Sequence, residues 1–537
     1  MKKLSLGLAL CVAAMAALAT SAPAPVTFAV MEFEVQGNTV LPANVVEQTL
    51  APFLGPGRSI QDLESAREAL EKAYQDAGFL SVVVTLPNQR IKADGVVRFE
   101  ITAAKVDRLT VTGAAYHKPS RIKAQVPSVA PGVVPYFPAV QDELGAIQSA
   151  DMQITPLISG GAQPEQLNIE LKVQDKPAIS GMLELSNRQS FNTSTGRLLG
   201  VASYGNLFQL GHRVGLSWQY APWRPADANT LTWIYGMPLG RRDDLSLAYT
   251  RSDSDTPIVS GDGGNTITRG AFFSARWTHD LDARHLPIRH GTFVAVDYKS
   301  NEDQTNLNFS ASSTKPPLKY ATVSAGYNLT WMPSDETTLS ANVGVVTSNA
   351  ALAGRRVLCD GERLEQFACK RFGARPDFLA WQGGGSYTGP LWAGWRVLSK
   401  FDAQLASGPL VSGEQYSLGG SETVRGYYDY EQSGDTGAQF KLELISPSAS
   451  FADDWRASGL AFFDRGWVVV HQALSGQVAQ AHLASVGLGA RVDSGSGLQL
   501  SIDLAKPLKQ TRRAEEGGFR PTTEKDWRFH VSARQTF

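Results

Sequence analysis

From residue 179 to residue 537, apolar and polar residues alternate with a period of two, segment after segment, and few folds accept that pattern. In residues 320–331, one face carries Ala321, Val323, Ala325, Tyr327, Leu329 and Trp331; the other carries Tyr320, Thr322, Ser324, Gly326, Asn328 and Thr330. The division recurs in Leu498, Leu500, Ile502 and Leu504 against Gln499, Ser501 and Asp503. It recurs again in Phe440, Leu442 and Leu444 against Gln439, Lys441 and Glu443. Each segment offers one side to lipid and one to water, and each reaches the roughly 9–11 residues a tilted strand needs to cross a bilayer. Sixteen such segments begin near residues 179, 197, 212, 229, 244, 268, 291, 319, 337, 377, 395, 437, 457, 482, 497 and 527. The expected fold over 178–537 is therefore a 16-stranded antiparallel transmembrane β-barrel, with the even strand number of bacterial barrels.

Composition fits this reading. No run after residue 30 approaches the 18 consecutive apolar residues of a membrane-spanning helix, although 43% of the 537 residues are hydrophobic. Charge is balanced, 50 Lys+Arg against 51 Asp+Glu, so no nucleic-acid partner is indicated. Connections alternate in length. Short ones include Pro333–Glu336, Gly389–Gly394 and Ser494–Ser496, whereas Ser252–Ile267, Asn301–Leu318, Asn349–Pro376, Gly408–Thr436 and Lys506–Asp526 are long and polar. Short turns belong in the periplasm and long loops outside, which places both chain ends on the periplasmic side.

Residues 1–22 have the layout of a signal peptide: Lys2 and Lys3, an apolar run from Leu4 to Leu18, and a small-residue site at Ala17-Leu18-Ala19. An exported chain makes a loop disulfide the simplest use of Cys359 and Cys369, ten residues apart in a polar stretch. Between leader and barrel, two small α+β units are expected, over 30–103 and 104–176. The first begins with a strand at Met31–Val35 and a helix near Ala43–Leu50. Ser59 and Asp62 then mark a second helix ending near Gly78, and strands at Phe79–Leu86 and Val96–Thr102 close the unit. A looser copy follows, with Gly113 lying 76 residues after Gly37, helices over Ser120–Val126 and Ala139–Met152, and strands at Gln153–Ile158 and Leu167–Val173. Exposed strand edges would let such units accept a strand from another chain; a structural spacer is the alternative.

The long connection at about 408–436 contains Leu-Gly-Gly-Ser-Glu-Thr-Val-Arg-Gly-Tyr over residues 418–427. Arg425 is its one basic residue, set among Glu414, Glu422, Asp429, Glu431 and Asp435 and hinged by Gly419, Gly420 and Gly426. A guanidinium so placed suits a bidentate bond to one carboxylate. Asp464 is a candidate, because it interrupts an aromatic run on the next long strand and an ionised group facing lipid is costly; Phe462 and Gly466 share its inward face. On composition alone, a solvated loop arginine remains the simpler reading. The last strand carries Phe529 and Val531 and closes on Phe537, which fits a barrel-assembly signal.

Val424-Arg425-Gly426-Tyr427, together with Phe462-x-Asp464-x-Gly466, the leader, the two small units and the barrel ending in Phe537, resembles the outer-membrane transporters of two-partner secretion, the ShlB/FhaC/HecB-type hemolysin secretion/activation proteins of the BamA-type (Omp85) superfamily. The resemblance implies two periplasmic POTRA domains and a loop that folds into the barrel so that Arg425 meets Asp464. It implies recognition of an exoprotein in the periplasm and its passage through the pore without ATP. Outer-membrane lipid or lipopolysaccharide and the barrel assembly machinery would be further partners, and the location would be the outer membrane of a Gram-negative bacterium. At one point the chain departs from the pattern. Only some ten residues separate the expected cleavage site from Met31, which speaks against the plug helix that members often carry, so closure would fall more heavily on the Arg425 loop.

The alternative within the superfamily is an outer-membrane protein assembly factor, which typically carries three or five POTRA domains rather than two. A passive porin would explain the barrel but not the tandem units. An enzyme is least supported: His279, His285 and His290 lie around an expected short turn, and there is no P-loop, Rossmann fingerprint or Gly-x-Ser-x-Gly elbow. No catalytic residue, metal or cofactor is expected.

Overall fold

The computed structural model of the chain describes residues 27–149, 151–163, 165–191, 193–260, 265–281, 287–301, 317–359, 361–511 and 520–537. The leader expected at 1–22 and His285 lie outside them. The chain divides into two compact units, Met1–Pro177 and Ala178–Phe537.

The first unit opens with β1 (Phe28–Val30), β2 (Glu32–Gln36), α1 (Ala43–Leu50), β3 (Gly55–Arg58), α2 (Ile60–Asp76), β4 (Val82–Thr85) and β5 (Val96–Ala103). The sheet order is β2-β5-β4, with β2 parallel and β4 antiparallel to the central β5. Val46, Leu50, Leu70 and Tyr74 from the helices pack on Val84 and Phe99 from the sheet. A reciprocal capping box starts α2: the Asp62 N–H donates to Ser59 Oγ and the Ser59 N–H to Asp62 Oδ2 at 2.7 Å. The pairing of β1 with β3 is a feature the sequence conceals, since Gly-Pro-Gly-Arg carries no strand signal.

The second module has β6 (Lys105–Thr112), α3 (Pro119–Gln125), α4 (Phe137–Ile147), β7 (Met152–Gly160) and β8 (Gln166–Asp175), in the order β6-β8-β7 with the same parallel and antiparallel relations. Its second helical stretch, expected over Ala139–Met152, is shorter than the apolar spacing suggests. α4 stops at Ile147 because Gln148 turns extended, and Met152 instead opens β7 and is buried in the core beside Ile154.

Two glycines show that the modules repeat in geometry as well as in order. Gly37 and Gly113 have φ of +84° and +78°, and a Cβ on either would lie 2.4 Å from the Ile101 carbonyl oxygen or 2.3 Å from that of Val173. Each is a left-handed turn pressed on the central strand, where only glycine fits. In the second module, Asp175 accepts from the backbone N–H groups of Ala115, Tyr116 and His117 at 2.9, 2.8 and 2.8 Å. Burial pushes its carboxyl up, but these donors outweigh burial and hold it below the usual carboxylate range.

The barrel begins with β9 (Ile179–Ser186), β10 (Arg197–Leu207), β11 (His212–Tyr220), β12 (Asn229–Pro238), β13 (Asp243–Ser260) and β14 (Asn265–Leu281). It continues through β15 (Ile288–Asn301), β16 (Leu318–Ser334) and β17 (Thr337–Ser348). An outer segment then holds α5 (Ala350–Ala353), β18 (Arg356–Cys359), β19 (Glu362–Glu365) and α6 (Gln366–Lys370). Next come β20 (Phe378–Pro390), β21 (Arg396–Ala406), the short β22 (Tyr416–Leu418) and β23 (Gln432–Gly434), and β24 (Thr436–Ile445). A turn strand β25 (Ala449–Ala452), β26 (Trp455–Val469), β27 (Gln480–Ser494), β28 (Leu498–Pro507) and β29 (Arg528–Thr536) complete the series.

Sixteen strands close into one antiparallel sheet, β29 meeting β9; β18, β19, β22 and β23 lie off the wall and β25 only extends a turn. Leu185, Trp233, Val296, Phe401, Leu488 and Ile502 are exposed on the lipid side, whereas Asp464, Ser485 and Asp503 are buried. Among the described residues no helix is long and apolar enough to cross a membrane, so the strands do the crossing.

Two expected loops are more ordered than their polarity suggests. β13 and β14 run on to Ser260 and Asn265, turning most of Ser252–Ile267 into hairpin, and the 349–376 connection folds into the outer segment. Within that segment Cys359 and Cys369 are joined in a disulfide. At the closing seam five residue pairs join β29 to β9, from Ser532 with Ser186 to Thr536 with Met182. The Asn187 side chain then prolongs the ladder, accepting from the Val531 N–H at 2.8 Å and donating to the Phe529 carbonyl at 2.9 Å. Phe529 and Val531 face outward, and the Phe537 N–H donates to the Gly181 carbonyl at 3.0 Å with its ring lying against Gly181.

Candidate functional site: an inward loop pinned at Arg425

The connection between β21 and β24 folds back against the barrel wall. Val424, Arg425 and Tyr427 are all buried, Arg425 to 1% exposure. Gly419, Gly420 and Gly426 have φ of +112°, +91° and +91°, and a Cβ on Gly420 would fall 1.8 Å from Asp429 Oδ1. They are close-packed left-handed corners that aim the loop, not free pivots.

The guanidinium of Arg425 meets Asp464 in a two-pronged contact, Nε to Oδ2 at 2.7 Å and Nη2 to Oδ1 at 2.8 Å, and the Arg425 backbone N–H also donates to Oδ2 at 3.1 Å. Phe462 lies flat beneath the guanidinium, 3.5 Å from its carbon to the ring centre. Gly466 has no side chain because Leu418 occupies that space: a Cβ would stand 2.8 Å from the Leu418 methyls. Leu418, Val424, Tyr427, Val468 and Leu483 form one apolar cluster around the loop, and the Tyr427 hydroxyl donates to the Lys509 carbonyl at 2.6 Å.

Two further contacts at Arg425 and one at Gly426 escape a reading of the sequence. Nη1 lies 2.8 Å from Glu443 Oε1 and 3.2 Å from Asp503 Oδ2, and the Gly426 N–H donates to His530 Nε2 at 2.9 Å, which requires a neutral ring with its proton on Nδ1. Arg491 also binds Asp503, at 2.6 Å, and Lys441 donates to the Ser421 carbonyl at 2.8 Å. Three cations (Arg425, Arg491, Lys441) thus face three carboxylates (Asp464, Glu443, Asp503). A balanced cluster of this kind can be buried; a lone arginine there could not. Strand alternation does point Glu443 and Asp503 inward, but nothing local marks them as partners of a residue up to 78 positions away.

Four of the loop's five acidic residues, which read as background in the sequence, are also tied down, whereas Glu422 stays largely exposed. Asp429 takes Arg188 Nε at 2.9 Å. Glu431 Oε1 takes the Thr511 hydroxyl at 2.6 Å and the Thr522 N–H at 2.9 Å. Glu414 takes Lys299 at 2.6 Å, and Asp435 takes Arg371. Among the described residues no group of three or more His, Cys, Asp or Glu is placed to hold a metal ion.

A sixteen-stranded wall, a loop tucked inward from one long connection and small α+β modules ahead of the barrel define an outer-membrane transporter with periplasmic POTRA modules. The model for the haemolysin secretion/activation protein ShlB/FhaC/HecB matches residues 166–492, and the ShlB-type POTRA domain matches residues 28–103. The outer membrane transporter CdiB of Dickeya dadantii (strain 3937) is 22% identical over 438 residues, covering 78% of this chain and 72% of its own. Among solved structures, CdiB from Escherichia coli aligns over 98% of this chain and 93% of its own, with a TM-score of 0.62 at 19% identity. BamA from Haemophilus ducreyi lacking POTRA domains 1–3 aligns over 95% and 100%, with a TM-score of 0.54 at 15% identity. The chain belongs to the ShlB/FhaC/HecB family of haemolysin secretion/activation proteins and is an outer-membrane transporter of two-partner secretion, not an assembly factor.

Proposed function

We propose that this transporter takes one partner exoprotein, haemolysin- or adhesin-like, from the periplasm through its two tandem modules and passes it through the barrel without ATP, and that the Arg425 loop controls the passage. Residues 1–22 act in this reading as the export leader, 30–103 and 104–176 as POTRA domains, and 178–537 as the conducting barrel. The observation that carries the gating role is the buried arginine itself: its backbone, its guanidinium and the glycine after it are all bonded to the wall, so the loop holds one defined position in the lumen. Phe529, Val531 and Phe537 serve assembly, offering outward apolar groups at the seam to the barrel assembly machinery and then to lipid. No catalytic step is assigned to the chain.

Arg425→Ala is the direct test. Removing one side of a buried ion pair costs about 3–5 kcal/mol, so the loop should leave its position while the barrel still inserts. Export of the exoprotein is expected to fall to a small fraction of the wild-type level, measured in the medium alongside heat-modifiable migration of the barrel. Full export by an inserted Arg425→Ala barrel would refute the role.

A further inference from the structure

The tip of the inward loop is held by Arg425, but its two roots are held elsewhere. Asp435, fully buried at the second root, accepts from the backbone N–H of Leu410 on the first root at 2.9 Å and from the His471 N–H at 2.7 Å. Both of its oxygens also take Arg371, Nη2 reaching Oδ2 at 2.7 Å, and Arg371 donates in addition to the carbonyls of Leu410 and His471. Arg371 directly follows α6, the helix carrying Cys369 of the disulfide. From the same helix Phe367 packs with Leu410 and Val411, and Gln366 donates to the Lys319 carbonyl at 2.7 Å, fixing α6 to the start of β16. Beside it, Glu414 on the first root is bound by Lys299 from β15 and by the Tyr320 hydroxyl from β16 at 2.5 Å.

We propose that the disulfide-closed outer segment 349–376 is a clamp on the roots of the inward loop, with Arg371 as its positioning residue, so that the tip around Arg425 can release while the roots stay fixed. This rests on the reading of the loop as the pore-controlling element. The physical ground is that Arg371 and Asp435 join four separate pieces of chain: the outer segment, both loop roots and the β26–β27 connection. A helix of five residues would not hold its place unaided, and closing the ten-residue span between Cys359 and Cys369 restricts the alternatives open to it.

The test is hydrogen exchange on the full-length transporter in lipid nanodiscs, with no exoprotein present. Arg371→Gln should raise the exchange rate of the Leu410 and His471 amides by about tenfold or more, because Asp435, the acceptor of both, loses the guanidinium that holds it in place. The Gly426 amide, bonded to His530, should keep its wild-type protection. Wild-type protein treated with a phosphine reductant should show the same pattern, more weakly. If Arg371→Gln does not yield a heat-modifiable barrel, the reductant arm decides alone. Wild-type protection at the root amides in either arm overturns the clamp, and so does equal loosening at Gly426, which would mean a barrel-wide effect. Because export is not measured here, a failed clamp leaves the transport reading intact, and lost export in Arg425→Ala neither requires nor excludes the clamp.

Discussion

Arg425 has more partners than a salt bridge needs, and that governs how it should be tested. Exchanging the charges at Arg425 and Asp464 would set an aspartate against Glu443 and Asp503, so a failed exchange would say nothing about contact. Neutral isosteres avoid the problem. Arg425→Gln combined with Asp464→Asn is expected to cost export no more than the worse single change, since both remove the same contact; losses that multiply would argue against coupling. Arg425→Lys tests geometry rather than charge. A lysine keeps the cation but loses the two-pronged bond and the flat contact with Phe462, so export should remain well below wild type although the net charge is unchanged. At this scale the sequence showed the arginine and one carboxylate, because Asp464 breaks an aromatic run. Glu443 and Asp503 look like ordinary lumen residues until strand register brings them to the same point.

Among elements, the wall strands were the most legible part of the chain, because one alternation serves lipid outside and water inside for the whole length of each strand. β13 and β14 show where that rule stops. Past the membrane no lipid enforces alternation, so a polar stretch such as Ser252–Ile267 reads as loop while its backbone continues the ladder. β3 was hidden for a different reason: its residues have no strand preference, and the strand forms by pairing with β1. The tandem modules allow a prediction about pH. Asp175 binds three backbone N–H groups at the turn after β6, and its carboxyl lies lower in the folded module than in an unfolded chain. Its contribution is therefore complete above the unfolded value of about 4 and is lost as the pH falls through the depressed folded value. Asp175→Asn should loosen the second module at pH 7 and flatten its response between about pH 5 and 2. Hydrogen exchange of residues 105–175 in the intact protein, followed across that range, reads this. An unchanged acid response would show that another group controls it.

For the whole molecule, the proposed reading is of a transporter dedicated to one exoprotein. Deleting the gene is expected to remove one large protein from the cell surface and medium while leaving the abundance of other outer-membrane barrels unaltered, as an outer-membrane protein profile would show. A general fall in those barrels would contradict the assignment. The inward loop also bears on the cell's boundary. Glu414, Arg425, Asp429 and Glu431 bind it to Lys299, Asp464, Arg188 and Thr511, on or beside different wall strands, and Asp435 binds it to Arg371 of the outer segment. On the gating role proposed for the Arg425 loop, the transporter at rest is a stoppered hole, and in a cell with nothing to export the loop itself maintains the permeability barrier.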